Sequence, residues 1–394
     1  MTMKHIKFKT DRFNTHSRKY DSIHLNRYPK DTIPLWVADM DIEVDERILN
    51  GLHEYLDEKI LGYNLETPEY TQAITNYLKR RHDCMVDPSW ILTTPNVVSS
   101  INACLLALTQ PNDAILILEP VYMPFFKSVE ATGRQVVFSS LVHHPSGYEM
   151  NFEDIEHKIQ EFNVKMVIFC SPHNPVGRVW RENELKRFVE IMNQNNVMII
   201  SDEIHMDFIF KGHKHIPLIN FDEHVIMLMS ASKTFNLASA HVSQIIVKSS
   251  SIRKKIMNLY HQLGLFHSVE LGIRATTIAY QECDDYIDEL CDVIETNVNL
   301  VKQCFENSCV SVVKMEGTYL MWLDVRACGI ATPRLHRGLI KEAQVWLHDG
   351  SIFGPTGEGY LRLNCATSPH LLLEACERIK TWIKEHAHES KSSV

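Results

Sequence analysis

The sequence has no uninterrupted apolar run near the roughly 20 residues a helix needs to cross a bilayer, so a membrane-spanning protein is not expected. It also lacks a long block of one charge: its 40 Lys and Arg and 49 Asp and Glu are dispersed and leave a formal net charge of −9. That dispersal points away from nucleic acid and anionic membranes as partners. The ten cysteines are scattered with no pair at CxxC spacing, and they read as reduced thiols, not a disulfide framework or zinc site. The histidine runs His143-His144 and His213-Lys214-His215 lack the Cys or carboxylate set that would complete a ligand pattern, so no metal is expected. Met1 to Lys19 is too polar for a secretory signal, and a cytoplasmic location is expected. There is no internal repeat, and only the tail Glu389-Ser390-Lys391-Ser392-Ser393 is low in complexity; it reads as frayed.

What is present is a chain of 394 residues, 45% hydrophobic, long enough for a large core divided between two domains. From about Ser89 to Val247, strand-like apolar runs alternate with amphipathic segments, the pattern of βα units around a mostly parallel central sheet. Examples are Ala114 to Leu118, Val136 to Phe138, Met166 to Cys170, Val197 to Ile200 and Val225 to Met229. Between two of them Leu185, Phe188, Ile191 and Met192 recur at helical spacing, a core stripe. From about Tyr286 the pattern changes to a long helix ending at Phe305, strand-like runs around Val312 and Leu320, and a last helix from Leu371 to His386. The expected organisation is therefore α/β, with an N-terminal segment (1–48) joining a smaller α+β domain (286–394) and a large domain (49–285) between them.

Three strand ends carry polar side chains suited to chemistry. The first is Ser171-Pro172-His173-Asn174-Pro175-Val176-Gly177-Arg178 after Met166–Cys170. The second is Ser201-Asp202-Glu203-Ile204-His205 after Val197–Ile200, and the third is Ser230-Ala231-Ser232-Lys233-Thr234-Phe235-Asn236-Leu237 after Val225–Met229. In open α/β sheets, ligands bind outside the carboxyl ends of strands. A lysine there can be dehydrated, which favours the neutral amine that attacks carbonyls. By itself a lysine after a strand is most often a solvated loop residue, so the weight falls on the ordered set Asn174, Asp202, Lys233.

That set resembles the fold type I pyridoxal phosphate (PLP) enzymes, the aspartate aminotransferase superfamily. Further stretches narrow the resemblance to the MalY/PatB group of cystathionine β-lyases and other C–S lyases. They are Leu35-Trp36-Val37-Ala38-Asp39-Met40-Asp41, Gly62-Tyr63, Asp202-Glu203-Ile204-His205-Met206-Asp207, Gly212-His213-Lys214-His215-Ile216-Pro217, Glu316-Gly317-Thr318-Tyr319-Leu320-Met321-Trp322-Leu323-Asp324 and Tyr360-Leu361-Arg362-Leu363-Asn364. They span nearly the whole chain.

The resemblance implies a PLP-dependent transferase fold and a set of roles. Lys233 would hold the cofactor and act as base. Asp202 would face its pyridine nitrogen, Asn174 its ring hydroxyl oxygen, and Tyr122 would stack on the ring. His205 stands where many relatives have a tyrosine for that oxygen, and either role remains open for it. The phosphate would be met by the main chain of Val97 and Val98 at a helix start, by Ser230 and Ser232, and by Tyr63 from a second subunit of a homodimer. Arg362 would clamp the substrate carboxylate, with Trp36 bordering it or packing behind it. Asn96 and Ser239 stand where the group has glycine, and asparagine tolerates the left-handed backbone that glycine would permit. His241 replaces a phosphate-binding arginine eight residues after the lysine, so PLP affinity is expected to be weaker or pH-dependent.

The implied reaction is α,β-elimination on L-cystathionine or another S-conjugate of L-cysteine, giving a thiol, pyruvate and ammonia. An aminotransferase is the alternative, since both share each step as far as the α-carbanion. A noncatalytic regulator with a PLP-type fold is disfavoured by the presence of Lys233 and by the lack of room before Trp36 for a DNA-binding domain.

Overall fold

A computed structural model describes residues 3–265 and 269–387; the tail expected to fray lies outside them. Its centre is a seven-stranded sheet in the order Ile91–Thr94, Ser243–Ile246, Ile226–Met229, Met198–Asp202, Met166–Cys170, Ala114–Glu119, Gln135–Ser140. Only Ser243–Ile246 runs antiparallel to its neighbours. Every residue of Ala114–Glu119, Met166–Cys170 and Ile226–Met229 is buried. Strands covered by helices on both faces read as continuous apolar runs for that reason. The helix Glu182–Gln194 buries Leu185, Phe188, Ile191 and Met192 as the spacing predicts.

A second sheet of four short strands, in the order Ser311–Val312, Leu320–Asp324, Tyr360–Asn364, His348–Asp349, is antiparallel throughout. The helices Asp284–Phe305 and Pro369–His386 pack against each other beside it. The N-terminal segment is drawn onto this sheet. Ile33–Pro34 pairs in parallel with Val345–Trp346, Asn364 N donates to Leu35 O at 2.9 Å, and Asp41 N donates to Ala366 O at 2.9 Å.

One expectation is corrected here. Not all ten cysteines are thiols, because Cys309 and Cys328 form a disulfide across 19 residues of sequence. The cause is strand pairing. Ser311 and Val312 lie opposite Asp324 and Leu323, which brings the flanking turns together with a Cα–Cα separation of 4.9 Å, inside the range a bridge requires. The other eight cysteines are free.

The lysine-bearing turn is tied to the core by a buried carboxylate. Asp207 accepts from Thr234 Oγ1 at 2.6 Å, from Tyr77 Oη at 2.5 Å and lies 2.8 Å from His82 Nε2. Burial works to raise its pKa, but the bonds from His82, Thr234 and Tyr77 outweigh it and hold the carboxyl below the ordinary carboxylate range. A carboxyl with a lowered native pKa contributes stability that is complete above the unfolded pKa, near pH 4, and is lost as pH falls through the native value. Asp207→Asn leaves donors facing an amide and is expected to cost roughly 2–4 kcal/mol at neutral pH. In melts from neutral pH to about pH 3, the gap between wild type and variant should shrink with acidification; a gap independent of pH would refute this account.

Candidate active site

Strand register places the chemistry. Asp202 pairs with Cys170 on one side and with Leu228 on the other, so the loops carrying Asn174, Asp202 and Lys233 leave the sheet side by side. At the antiparallel strand, Ser243 pairs with Thr94 and Gln244 with Met229, so the turn at Ser230 and the helix Val97–Leu108 emerge at the same edge. The sheet thereby gathers residues far apart in sequence into one cleft.

Lys233 closes a short helical turn, Ala231–Thr234, and donates from Nζ to Ala38 O at 2.8 Å. Withdrawal from water, then the Arg362 charge, lowers its pKa to about 8, against smaller opposing effects of Asp39 and Asp202. Asp202 is 4% exposed; burial raises its carboxyl to about 7, offset in part by the hydrogen bond from Ile204 N at 3.1 Å. Asp202 and Lys233 feel each other's charge, and both feel a low-dielectric surround that holds their pKa values closer together than in water.

Arg362 is buried, lies over the Phe353 ring at 4.8 Å, and is held from three sides. Nη1 donates to Asn174 Oδ1 at 3.2 Å, while Nη2 donates to Trp36 O at 2.9 Å and to His348 Nδ1 at 2.8 Å. Among the described residues its Nε has no partner, and neither does the buried His205 Nδ1. Burial, then the charges of Lys233 and Arg362, lowers the His205 pKa to about 3, so its imidazole is neutral. Tyr122, partly buried after the Ala114–Glu119 strand, feels both Arg362 and Asp202.

At the phosphate-type corner, Val97 is buried, Val98 partly so, and both open the helix. Ser230 Oγ lies 2.9 Å from Ser232 Oγ and donates to Val242 O at 2.7 Å. Asn96 does not use the left-handed region. Its φ of −168° is extended, and its side chain accepts from Ser99 N at 2.8 Å, so asparagine stands there as a helix cap. His241 does adopt a left-handed backbone, φ 50°, and lines a cavity of about 320 Å³ together with Thr94 and Pro95. Ser239 is exposed on the turn before it. Tyr63 is 96% exposed within one chain.

The signature Leu35–Asp41 turns out to be a length of main chain held by side chains. Beyond Lys233 and Arg362, Asn364 Nδ2 donates to Val37 O at 2.8 Å and Asp39 O at 2.9 Å, and Asn236 Nδ2 donates to Met40 O at 3.0 Å and Ile42 O at 2.9 Å. The Trp36 indole is buried, stacked on Trp346 with centroids 4.3 Å apart.

A model of aminotransferases of class I and II matches residues 32–379. The chain belongs to that family. Cystathionine beta-lyase PatB of Bacillus subtilis is 34% identical over 94% of this chain and 97% of its own length. Cystalysin from Treponema denticola, whose crystal structure contains pyridoxal 5'-phosphate, superposes with a TM-score of 0.93 at 33% identity, covering 97% of this chain and all of that one (100%). A PLP-bound protein from Clostridium difficile 630, provisionally assigned as an aminotransferase, superposes with a TM-score of 0.92 at 35% identity, covering 95% of this chain and 98% of that one. The family fold is therefore present across nearly the whole chain.

Two members of the cleft were not picked out from the sequence. His348 reaches Arg362 only because the two residues pair across neighbouring strands; a histidine in a two-residue strand carries no sequence signal. Tyr319, whose hydroxyl donates to Ala38 O at 3.3 Å, lies inside the family-like stretch Glu316 to Asp324, which is the signal that points to it.

Proposed function

We propose that this protein is a PLP-dependent carbon–sulfur β-lyase that performs α,β-elimination on L-cystathionine or another S-conjugate of L-cysteine, giving a thiol, pyruvate and ammonia. The observation that carries this is Lys233, a strand-end amine with its pKa lowered to about 8 in one cleft with Asp202 and Arg362. The chain's 34% identity to a cystathionine β-lyase favours elimination among the reactions such a cleft permits.

The residues present suit the cofactor. A buried acid shares the cleft with the lysine, a neutral imidazole nitrogen lies buried without a partner among the described residues, and a helix start with serine hydroxyls nearby offers anion-binding donors. Bound PLP supplies a protonated pyridine ring that withdraws electrons from the substrate α-carbon. Asp202 would keep the ring-nitrogen proton in place. Asn174 and His205 would address the ring oxygen, Tyr122 would pack on the ring face, and Val97, Val98, Ser230 and Ser232 would receive the phosphate. Arg362 grips the α-carboxylate, with its vacant Nε as one donor, and Trp36 supports it through its carbonyl. Lys233 would hold the cofactor through its amine and would be the base that takes the substrate α-proton as a thiolate leaves the β-carbon.

Tyr63 stands out from one chain among exposed Ile60, Leu61 and Leu65. We read this arm as reaching the phosphate corner of a second copy, which makes a homodimer the active form. Among the described residues no helix is long and apolar enough to cross a membrane, and we place the enzyme in the cytoplasm. We divide the chain at residues 48 and 285, with the cleft between the larger and smaller domains.

His241 lines the cavity beside the phosphate corner, where an arginine would carry a permanent charge. His241→Arg is expected to tighten PLP binding about tenfold. Fluorescence titration of the apo-protein with PLP measures this; a dissociation constant left unchanged by His241→Arg would overturn the assignment.

The functional test is incubation of the PLP-loaded protein with L-cystathionine and with S-alkyl-L-cysteines, without any keto acid. Equal release of pyruvate, ammonia and thiol is the expected result. Amino transfer that begins only when a keto acid is added would establish the aminotransferase reading, which the family match and the Clostridium difficile structure favour.

A further inference from the structure

Arg18 is the first residue of the helix Arg18–Leu25, placed by the cap Ser17, whose side chain accepts from Tyr20 N. It is exposed, and among the described residues its guanidinium makes no ion pair or hydrogen bond. Its neighbours are different. Lys19 is buried against Asp41 at 2.7 Å, and Arg12 is fixed on Asp39 at 2.9 Å. Arg18 rests instead over the Trp36 ring, its Cζ 5.8 Å from the centroid, in cation–π range. The register is fixed by the indole, because Trp36 Nε1 donates to Lys19 O at 3.2 Å.

Trp36 therefore carries a guanidinium at each end. Arg362 holds its carbonyl, and Arg18 covers its ring. His348 lies edge-on to the same ring at 5.3 Å and accepts from Arg362. Burial dominates the pKa values of Tyr122 and His348, and the positive charge of Arg18 is felt at both. These are cleft residues, so the charge of Arg18 acts on the cleft from the Trp36 ring.

We infer that Arg18 is a specificity-determining residue, binding a carboxylate carried by the leaving-thiol part of the substrate. The inference rests on the lyase reading for its geometry: a substrate gripped by Arg362 at its α-carboxylate extends along Trp36 toward Arg18. A second carboxylate there, as on the homocysteine half of L-cystathionine, meets a planar donor fork. The apolar Trp36 surface beneath weakens the competition from water. The preferred class is then S-conjugates with an anionic leaving group, and simple S-alkyl-cysteines are poorer substrates.

The test uses the PLP-loaded protein and two ligands, L-cystathionine and S-butyl-L-cysteine. Arg18→Gln is expected to lower the ratio of kcat/KM for the first over the second by about tenfold or more, through KM, as loss of a charge-assisted contact predicts. Arg18→Lys should fall between. A ratio unchanged by Arg18→Gln overturns the assignment. The same two ligands are then titrated calorimetrically into Lys233→Ala and Lys233→Ala/Arg18→Gln, where no elimination is required. Selective loss of L-cystathionine binding there, with no pyruvate formed by wild type, would sink the lyase reading and keep Arg18. Pyruvate formation with an unselective effect of Arg18→Gln on binding and kinetics would do the reverse.

Discussion

Replacing Lys233 with alanine is expected to reduce the release of pyruvate, ammonia and thiol from L-cystathionine by about 10⁴-fold or more, because one amine serves both as cofactor anchor and as base. The protein should still fold, since Lys233 Nζ gives up only its bond to Ala38 O, while Thr234 continues to hold the turn to Asp207. Circular dichroism separates loss of chemistry from loss of fold. The pH dependence has a definite sign. Only the neutral amine captures an aldehyde, and the Lys233 pKa is lowered from 10.5 to about 8. Capture of pyridoxal phosphate by the apo-protein should therefore fall about tenfold per pH unit below 8 and level off above it. Stopped-flow absorbance reads this directly, and a plateau reached only above about pH 10, the ordinary lysine range, would contradict the dehydrated environment.

Arg362→Lys should be nearly as damaging, although it conserves charge. A single ammonium cannot replace the fork that spans Asn174, Trp36 O and His348 and leaves Nε for the substrate. We expect kcat/KM to drop about 10²–10³-fold, equivalent to about 3–4 kcal/mol of lost transition-state stabilisation. His348 adds to the cost: its pKa is strongly lowered by burial and by Arg362, so its Nδ1 is kept as an acceptor, and lysine leaves that acceptor without its planar partner. A loss below about fivefold with full retention of kcat/KM ranking among substrates would show that Arg362 is a structural tie, since uniform binding changes do not alter the chemistry.

The parts legible in the sequence were those that strand ends announce. Asn174, Asp202 and Lys233 follow apolar runs whose burial on both faces makes them easy to find, and parallel pairing brings their loops together. The stripe from Leu185 to Met192 was legible because helical spacing is local. What was hidden depends on register and on distant contacts. His348 meets Arg362 through cross-strand pairing, Cys309 meets Cys328 because a short strand pairs with Leu323 and Asp324, and Arg18 finds Trp36 through the packing of a helix start. None of these leaves a periodic trace. Asn96 illustrates a third case. A side chain in place of glycine reads as a departure in the sequence, yet in the folded chain it performs a capping role that the extended backbone makes available.

The grip of Lys233, Asn236, Arg362 and Asn364 on the main chain of Leu35–Asp41 also governs when the site can exist. Those bonds join residues 195, 196, 326 and 327 positions apart, and contacts of such separation form late because a long loop must close first. A chain still being synthesised carries Lys233 and Asn236 but lacks Arg362 and Asn364, so the segment that carries Trp36 is without the ties to its Trp36, Val37 and Asp39 carbonyls. The emerging protein thus presents no finished cleft to aldehydes or amino acids in its surroundings, and reactivity arrives only with roughly the last tenth of the chain, at the moment the whole molecule closes on its own beginning.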